Sequence, residues 1–267
     1  MDGLSELGRG GAGPGVNEIV TRLRSAGCVF AEEEAALLAG AARSPAELTS
    51  MVDRRVAGLP VEQILGWAGF CGRRVVVEPG VFVPRRRTGF LVEQAVLRAR
   101  PGAVVVDLCC GSGAVGAAVH AAVDGIELHA ADVDPAAVRC ARRNVTGTVY
   151  LGDLFTALPP TLRGRVDVLV VNAPYVPTAA IALLPPEARD HEPVAALDGG
   201  ADGLDVQRRV IADAPAWLGP RGALLIETGE DQAPHTAAAY VAAGLVPRVA
   251  RSAELAATVV IGSSTSG

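Results

Sequence analysis

The sequence predicts an α/β fold in which a mostly parallel sheet, with helices on both faces, follows a small helical domain. Three observations predict it. Half of the 267 residues are hydrophobic, enough to bury a large core. From residue 89 onward short apolar runs alternate with helix-like stretches, the signature of βαβ units. Before residue 70 the apolar spacing is helical, so the chain changes architecture once.

Residues 1–15 are Gly-rich and residues 263–267 Ser/Gly-rich, and both read as frayed ends. Residues 16–69 form the small helical domain, of three or four helices. Ile19, Val20 and Leu23 recur at helical spacing, residues 31–42 are an Ala/Leu/Glu block, and Ser44-Pro45-Ala46-Glu47 supplies an N-cap with Pro in the first turn. Residues 70–88 change to β-type runs at 74–77 and 81–83, with Pro79-Gly80 as a turn, and are expected to be a hairpin linking the domains. Residues 89–262 form the large domain. Helices are expected to residue 98 and at 114–123, 135–144, 206–217 and 233–243, with strands at 104–108, 126–131, 148–151, 168–171 and 223–226. Two late runs, 246–249 and 257–261, lie so close together that they predict an antiparallel hairpin at one sheet edge.

Composition removes several function classes. The net charge is −5 and all 24 basic residues are Arg; an acidic chain without a basic stripe is a poor stable partner for nucleic acid, whose binding rests on phosphate neutralisation. No run approaches the roughly 18 apolar residues of a membrane span, and the N-terminus lacks the apolar core of a secretion signal. A cytoplasmic protein with no membrane partner is expected. Five cysteines without a C-x-x-C pair, two of them adjacent at Cys109-Cys110, argue against a disulfide framework and a zinc site. They are expected to be reduced core residues, and no metal is expected.

The strand at 104–108 runs through Asp107 into Cys109-Cys110-Gly111-Ser112-Gly113 and then a helix, where glycines let backbone approach a ligand. About 20 residues on, Asp132 ends the next strand, where a βαβ unit places the acid that holds ribose hydroxyls. Residues 111–116 also spell G-x-G-x-x-G, a weak dinucleotide signal. Asp107 within the strand, the lengthening Cys109-Cys110 and the lack of an evident hydride-transfer acid or base among His120, His129, His191 and His235 count against a dehydrogenase. A sulfonium nucleoside fits better. Asp107 would lie by its amino-acid end or order the loop, Asp132 would take the ribose, and Asp153 would accept from the adenine amino group beside Leu154. Downstream, Asn172-Ala173-Pro174-Tyr175 closes the run at 168–171 and puts a carboxamide, a carbonyl and an aromatic face at a strand's carboxyl end. That set suits a planar amide or amino-aromatic acceptor: the Asn oxygen and the backbone carbonyl accept its N–H bonds while the Tyr ring, rather than its hydroxyl, packs against its plane.

These residues resemble the protein-(glutamine-N5) methyltransferases of the HemK/PrmC type. The resemblance covers residues 16–262 and rests on Pro60-Val61-Glu62-Gln63-Ile64-Leu65-Gly66, the Phe82-Val83-Pro84-Arg85 loop, the segment from Asp107 to Gly113, Gly152-Asp153-Leu154-Phe155, the Asn172 to Tyr175 tetrad, Glu192-Pro193, Leu197-Asp198-Gly199-Gly200 and Asp202-Gly203-Leu204. It implies a Rossmann-like S-adenosylmethionine-dependent methyltransferase domain with a mostly parallel seven-stranded sheet and a C-terminal antiparallel hairpin. It implies contacts from Cys109 to Gly113, Asp132, Leu154 and Asn172 to S-adenosylmethionine, and a tetrad that clamps the substrate amide. Phe82, Arg85 and Thr88 are expected on the substrate loop, the helical front domain as a substrate-recognition platform, and the partner as a glutamine-bearing protein, a class 1 peptide-release factor.

Two departures stand out. The first tetrad Pro of the family is Ala173 here, which keeps the backbone carbonyl and is still held extended by Pro174. After Pro84-Arg85 the family carries Pro and an acid before Thr, whereas this chain has Arg86-Arg87; that exchange changes the substrate, pairs with an acid of this chain, or faces solvent. An amino methylase acting on a nucleic-acid base or a small molecule is the alternative reading, ahead of a dehydrogenase or a silent binding module.

Overall fold

The computed structural model describes residues 15–264, and the expected frayed ends at 1–14 and 265–267 lie outside them. The chain divides into two compact units, split between Leu65 and Gly66.

The first unit consists of α1 (Val16–Ser25), α2 (Ala31–Ala41), α3 (Pro45–Val56) and α4 (Val61–Leu65). Ile19, Leu23, Leu38 and Val52 meet in its core. Ser44 caps α3 by accepting from Glu47 N, with Pro45 in the first turn. A buried pair, Arg55 Nε to Glu34 Oε2 at 2.5 Å, ties α3 to α2.

The second unit opens with a hairpin that lies upstream of the expected one. Its strands are β1 (Trp67–Phe70) and β2 (Arg73–Val76), and the turn is Cys71-Gly72 rather than Pro79-Gly80. Both turn residues have positive φ, 47° and 72°, which matches the right-handed twist of the flanking strands. Val81 and Val83 are buried without joining a strand. Val83 N donates instead to Glu192 Oε1 at 3.0 Å.

There follow α5 (Gly89–Val96), β3 (Val104–Leu108), α6 (Ala114–Ala122), β4 (Glu127–Asp132), α7 (Pro135–Asn144), β5 (Thr148–Leu151), β6 (Val166–Val171), α8 (Pro186–His191), α9 (Asp205–Asp213), β7 (Leu218–Thr228), α10 (Ala233–Ala242), β8 (Leu245–Ser252) and β9 (Ala257–Ser264). The seven-stranded order is β5-β4-β3-β6-β7-β9-β8. The first five strands are parallel, and β9 runs antiparallel to both neighbours. β9 reaches Ser264, paired with Leu245, so the sheet takes in two residues of the tail expected to fray. Consecutive strand residues feed opposite layers. Val105, Val168, Val170 and Leu225 pack with α5 and α6, whereas Val106, Leu169, Val171 and Ile226 pack with α9 and α10. Chain order reverses between β3 and β6, and the crevice at their carboxyl ends is where such sheets bind ligands.

Candidate active site

A cavity of about 930 Å³ opens at that crevice. At one end β3 delivers Asp107 and then a loop whose conformation is set by backbone. Cys109 (φ 56°), Gly111 (φ 54°) and Gly113 (φ 76°) all occupy the left-handed region, which is unusual for a cysteine and marks local strain beside the cavity. Gly111 N donates to Asp132 Oδ2 at 2.8 Å and Asp134 N to Oδ1 at 2.9 Å, so the acid at the end of β4 fixes the loop of β3. Asp107 Oδ2 accepts from Gly116 N at 2.8 Å, in the first turn of α6. Burial pushes the Asp107 carboxyl up to about 7, against that hydrogen bond. Burial likewise raises Asp132. Burial and the neighbouring carboxylates hold the Cys109 and Cys110 thiols well above their usual range, which leaves them protonated and unreactive. Leu154 also has positive φ (48°) and is buried against the cavity, while Asp153 Oδ2 pairs with Arg209 Nη2 at 2.5 Å.

At the other end β6 delivers the tetrad. Asn172 Nδ2 lies 3.5 Å from Thr88 Oγ1. The Ala173 methyl group is buried in the apolar layer that contains Val171 and Ile226. The backbone beyond is buttressed by the segment after α8. Val176 N donates to Leu197 O (3.0 Å), Gly199 N to Val176 O (2.9 Å), and Gln232 Nε2 to Tyr175 O (2.9 Å). A Cβ on Gly203 would stand 2.3 Å from Tyr175 O and one on Gly199 2.7 Å from Pro174 O. Those two glycines are therefore required by backbone contact with the tetrad. Arg85 pairs with buried Glu192, whose other oxygen holds Val83 N, and lies over the Phe82 ring.

Of the residues singled out by sequence, Asp107, Cys109, Cys110, Gly111, Ser112, Asp132, Asp153, Leu154, Asn172, Ala173, Pro174, Tyr175, Phe82, Arg85 and Thr88 all line this one cavity. Gly113 does not. A Cβ there would meet Val145 Cγ2 at 2.6 Å and Ala141 at 3.2 Å, so the position is glycine because α6 packs tightly on α7.

A family model for the methyltransferase small domain matches residues 72–183. The release factor glutamine methyltransferase of Geobacter sulfurreducens is 41% identical over 203 residues, covering 71% of this chain and 69% of that protein. The chain belongs to the release factor glutamine methyltransferase family. A 4-amino-L-phenylalanine/4-methylamino-L-phenylalanine methyltransferase of Streptomyces pristinaespiralis is 36% identical over 75% of this chain and 71% of its own length. A methyltransferase structure from Pyrococcus furiosus shares the fold at 15% identity, TM-score 0.55, over 72% of this chain and 89% of that one.

Several residues around the cavity of this methyltransferase carry no signal in the sequence. Asn144, at the end of α7, accepts from Val76 N (2.9 Å) and donates to Ser112 O (2.8 Å), joining the hairpin to the glycine loop. Arg209 reaches the cavity wall from α9, and Gln232, the residue before α10, holds the Tyr175 carbonyl. Glu227, at the end of β7, is buried. Of the two arginines that the sequence singles out, both exposed, Arg87 donates to the Tyr175 hydroxyl and places Nε 3.4 Å from Glu227, and Arg86 does neither. Strand register alone points to Glu227: Val171 pairs with Ile226, so the next residues, Asn172 and Glu227, are neighbours across two strands.

Proposed function

We propose that the protein transfers a methyl group from S-adenosylmethionine to the side-chain amide nitrogen of a glutamine in a class 1 peptide-release factor, in the cytoplasm. The observation that carries this reading is that the glycine loop with Asp132 and the Asn172 to Tyr175 tetrad open onto one cavity. No helix among the described residues is long and apolar enough to cross a membrane.

The residues present fit the donor. A Cβ on Gly111 would meet nothing within 4 Å, so the loop leaves room where a ligand must approach. Asp132 spends one lone pair of each oxygen on backbone amides, and a carboxylate has about four acceptor sites, so acceptor capacity for ribose hydroxyls remains. The acids Asp107, Asp132 and Asp153 suit a cation, and Leu154 offers an apolar edge to adenine. When bound, the donor supplies an electrophilic methyl group on a sulfonium.

The rest of the chemistry falls to the tetrad. An amide nitrogen is a poor nucleophile because its lone pair is delocalised into the carbonyl. Asn172 Oδ1 and the Ala173 carbonyl accept its two hydrogens, localise density on nitrogen and aim it along the transfer line. Such alignment is worth roughly 7–11 kcal/mol in favourable intramolecular models, more than any single hydrogen bond at the site. The same acceptors strengthen as the nitrogen becomes cationic, which favours the transition state over the ground state. The surplus proton then leaves to water.

The relative that methylates 4-amino-L-phenylalanine raises a second reading, a small amino acid as acceptor. A free amino acid brings a carboxylate that needs a cation. Among the described residues the arginines lining the cavity are all committed, Arg85 to Glu192, Arg87 to Glu227 and Arg209 to Asp153. An uncharged side-chain amide within a polypeptide suits such a wall better. The test is transfer of label from S-adenosylmethionine in a mixture of release factor, RNA, DNA and 4-amino-L-phenylalanine, with mass spectrometry of the release factor's glutamine peptide. Methylation of that glutamine is expected; label confined to any other component overturns the assignment.

A further inference from the structure

We infer that Arg87 and Glu227 are positioning residues for the acceptor loop: Glu227 anchors the Arg87 guanidinium, and Arg87 pins the hydroxyl edge of Tyr175 so that the tetrad keeps one orientation. The inference rests on the reading that the tetrad holds the acceptor.

Glu227 is 2% exposed; the Thr88, Arg87 and Tyr175 side chains face its carboxylate, but none of them stands in good hydrogen-bonding geometry. A buried carboxylate without donors is costly unless a cation answers it. The cation beside it is Arg87, with Nε at 3.4 Å from Oε1. The other end of the guanidinium donates through Nη2 to the Tyr175 hydroxyl. Its Cζ lies over the Tyr175 ring, 5.7 Å from the centroid, so the guanidinium steadies the ring as well as the hydroxyl. Burial and Glu227 push the phenol up to about 12, so it remains a neutral hydroxyl able to accept from Arg87 at any working pH. The backbone of the same residue is held by Gln232, so Tyr175 is fixed at both its carbonyl and its hydroxyl.

The geometry explains a departure in the chain. An acid at position 87, the residue type that the resemblance leads one to expect, would set a second carboxylate against Glu227. Arginine turns that repulsion into a pair and gives the tyrosine a partner. Arg86, the other unexpected arginine, makes no contact with Tyr175 or Glu227 among the described residues. The positioning function is thus assigned to one of two adjacent, chemically identical residues.

The test uses the full-length protein and the variants Arg87→Ala, Arg87→Lys, Tyr175→Phe, Glu227→Gln and the double variant Arg87→Ala/Tyr175→Phe. Tyrosine ζ-carbon NMR reads the contact without any acceptor. The Tyr175 resonance, identified by its loss in Tyr175→Phe, is expected to move in Arg87→Ala and in Glu227→Gln. With the release factor as acceptor, Arg87→Ala and Tyr175→Phe are each expected to lower kcat/KM about tenfold, the size of one charge-assisted hydrogen bond. The double variant should lose no more than either single one, Arg87→Lys should recover part of the loss, and affinity for S-adenosylhomocysteine should stay within about twofold. An unmoved Tyr175 resonance in Arg87→Ala overturns the inference, as do losses that multiply in the double variant. If no release factor takes up label, the proposed function fails instead, and the NMR comparison still decides whether the contact exists.

Discussion

At the Gly111 end of the cavity, position is set by backbone: three left-handed residues in a short loop, an acid that accepts from two amides, and a helix that begins at once. At the Tyr175 end it is set by side chains from remote segments, with Arg85 meeting Glu192 across 107 residues and Gln232 meeting Tyr175 across 57. The first plan suits a ligand that never varies. The second suits an acceptor loop whose details can be exchanged pairwise while the cofactor half stays constant. If the halves are this separate, substitutions should damage binding of the donor or use of the acceptor, but seldom both.

The largest expected effect is at the acceptor half. Asn172→Ala should lower turnover by about a hundredfold or more, the scale seen when one transition-state hydrogen bond is removed from a preorganised site. Calorimetry should show that much of the affinity for S-adenosylhomocysteine is kept. A variant that turns over at the parent rate, or one that loses the donor as well, breaks the division.

Next comes a contrast within the glycine loop. Gly113→Ala forces a Cβ to within 2.6 Å of Val145 Cγ2 at positive φ, so it should destabilise the fold by about 2–3 kcal/mol in urea melts. Gly111→Ala has open space around it and should lose only about 1–2 kcal/mol from its left-handed backbone, yet bind the donor poorly because the new methyl group occupies the cavity. Equal losses of stability and of donor affinity in the two variants would show that the loop acts as one unit.

This contrast also marks how far the sequence could be read. Strands 104–108 and 168–171 were legible because buried parallel strands are continuous apolar runs, and the tetrad because it directly follows one. The glycine loop was legible as a loop, but a ligand-facing Gly111 and a packing-enforced Gly113 look alike until α7 is in place. The hairpin was misplaced because Pro79-Gly80 is a conventional turn signal and Cys71-Gly72 is not; cysteine seldom takes φ 47°. Arg87 was visible as an anomaly, but none of its three readings could be chosen without Glu227, 140 positions away and brought alongside only by the β6–β7 register.

A pH effect is expected on the donor half. The Asp107 carboxyl rises from 3.8 to about 7 on folding, so its contribution to stability is fully present below pH 3.8 and is lost as pH rises through about 7. Donor binding runs the other way, because a sulfonium favours the ionised acid. Affinity for S-adenosylmethionine is expected to increase between pH 6 and pH 8, by up to about tenfold per unit of pH where the acid titrates. Asp107→Asn should flatten the denaturation profile between pH 3.8 and about 7 and the calorimetric profile between pH 6 and pH 8. Profiles that keep their slope in Asp107→Asn would assign the titration to another group, Asp132 first.

The smallest expected effect is at the seam between the halves. Arg209 Nη2 holds Asp153 Oδ2 at 2.5 Å, but both side chains are about half exposed, and pairs of this kind are worth only about 0.2–1 kcal/mol. Arg209→Ala should therefore leave stability within error. What the pair does is orient: with one oxygen held by arginine, Asp153 presents the other to the adenine amino group. Freed from Arg209, the carboxylate can rotate, and the preference for S-adenosylhomocysteine over its inosine analogue should fall by about 1.4- to fivefold, the range corresponding to those energies. Parallel titrations of the two nucleosides measure that ratio directly. An unchanged ratio would show that Asp153 keeps its orientation without Arg209, leaving the donor half independent of that side-chain pairing and the contrast with the acceptor half sharper still.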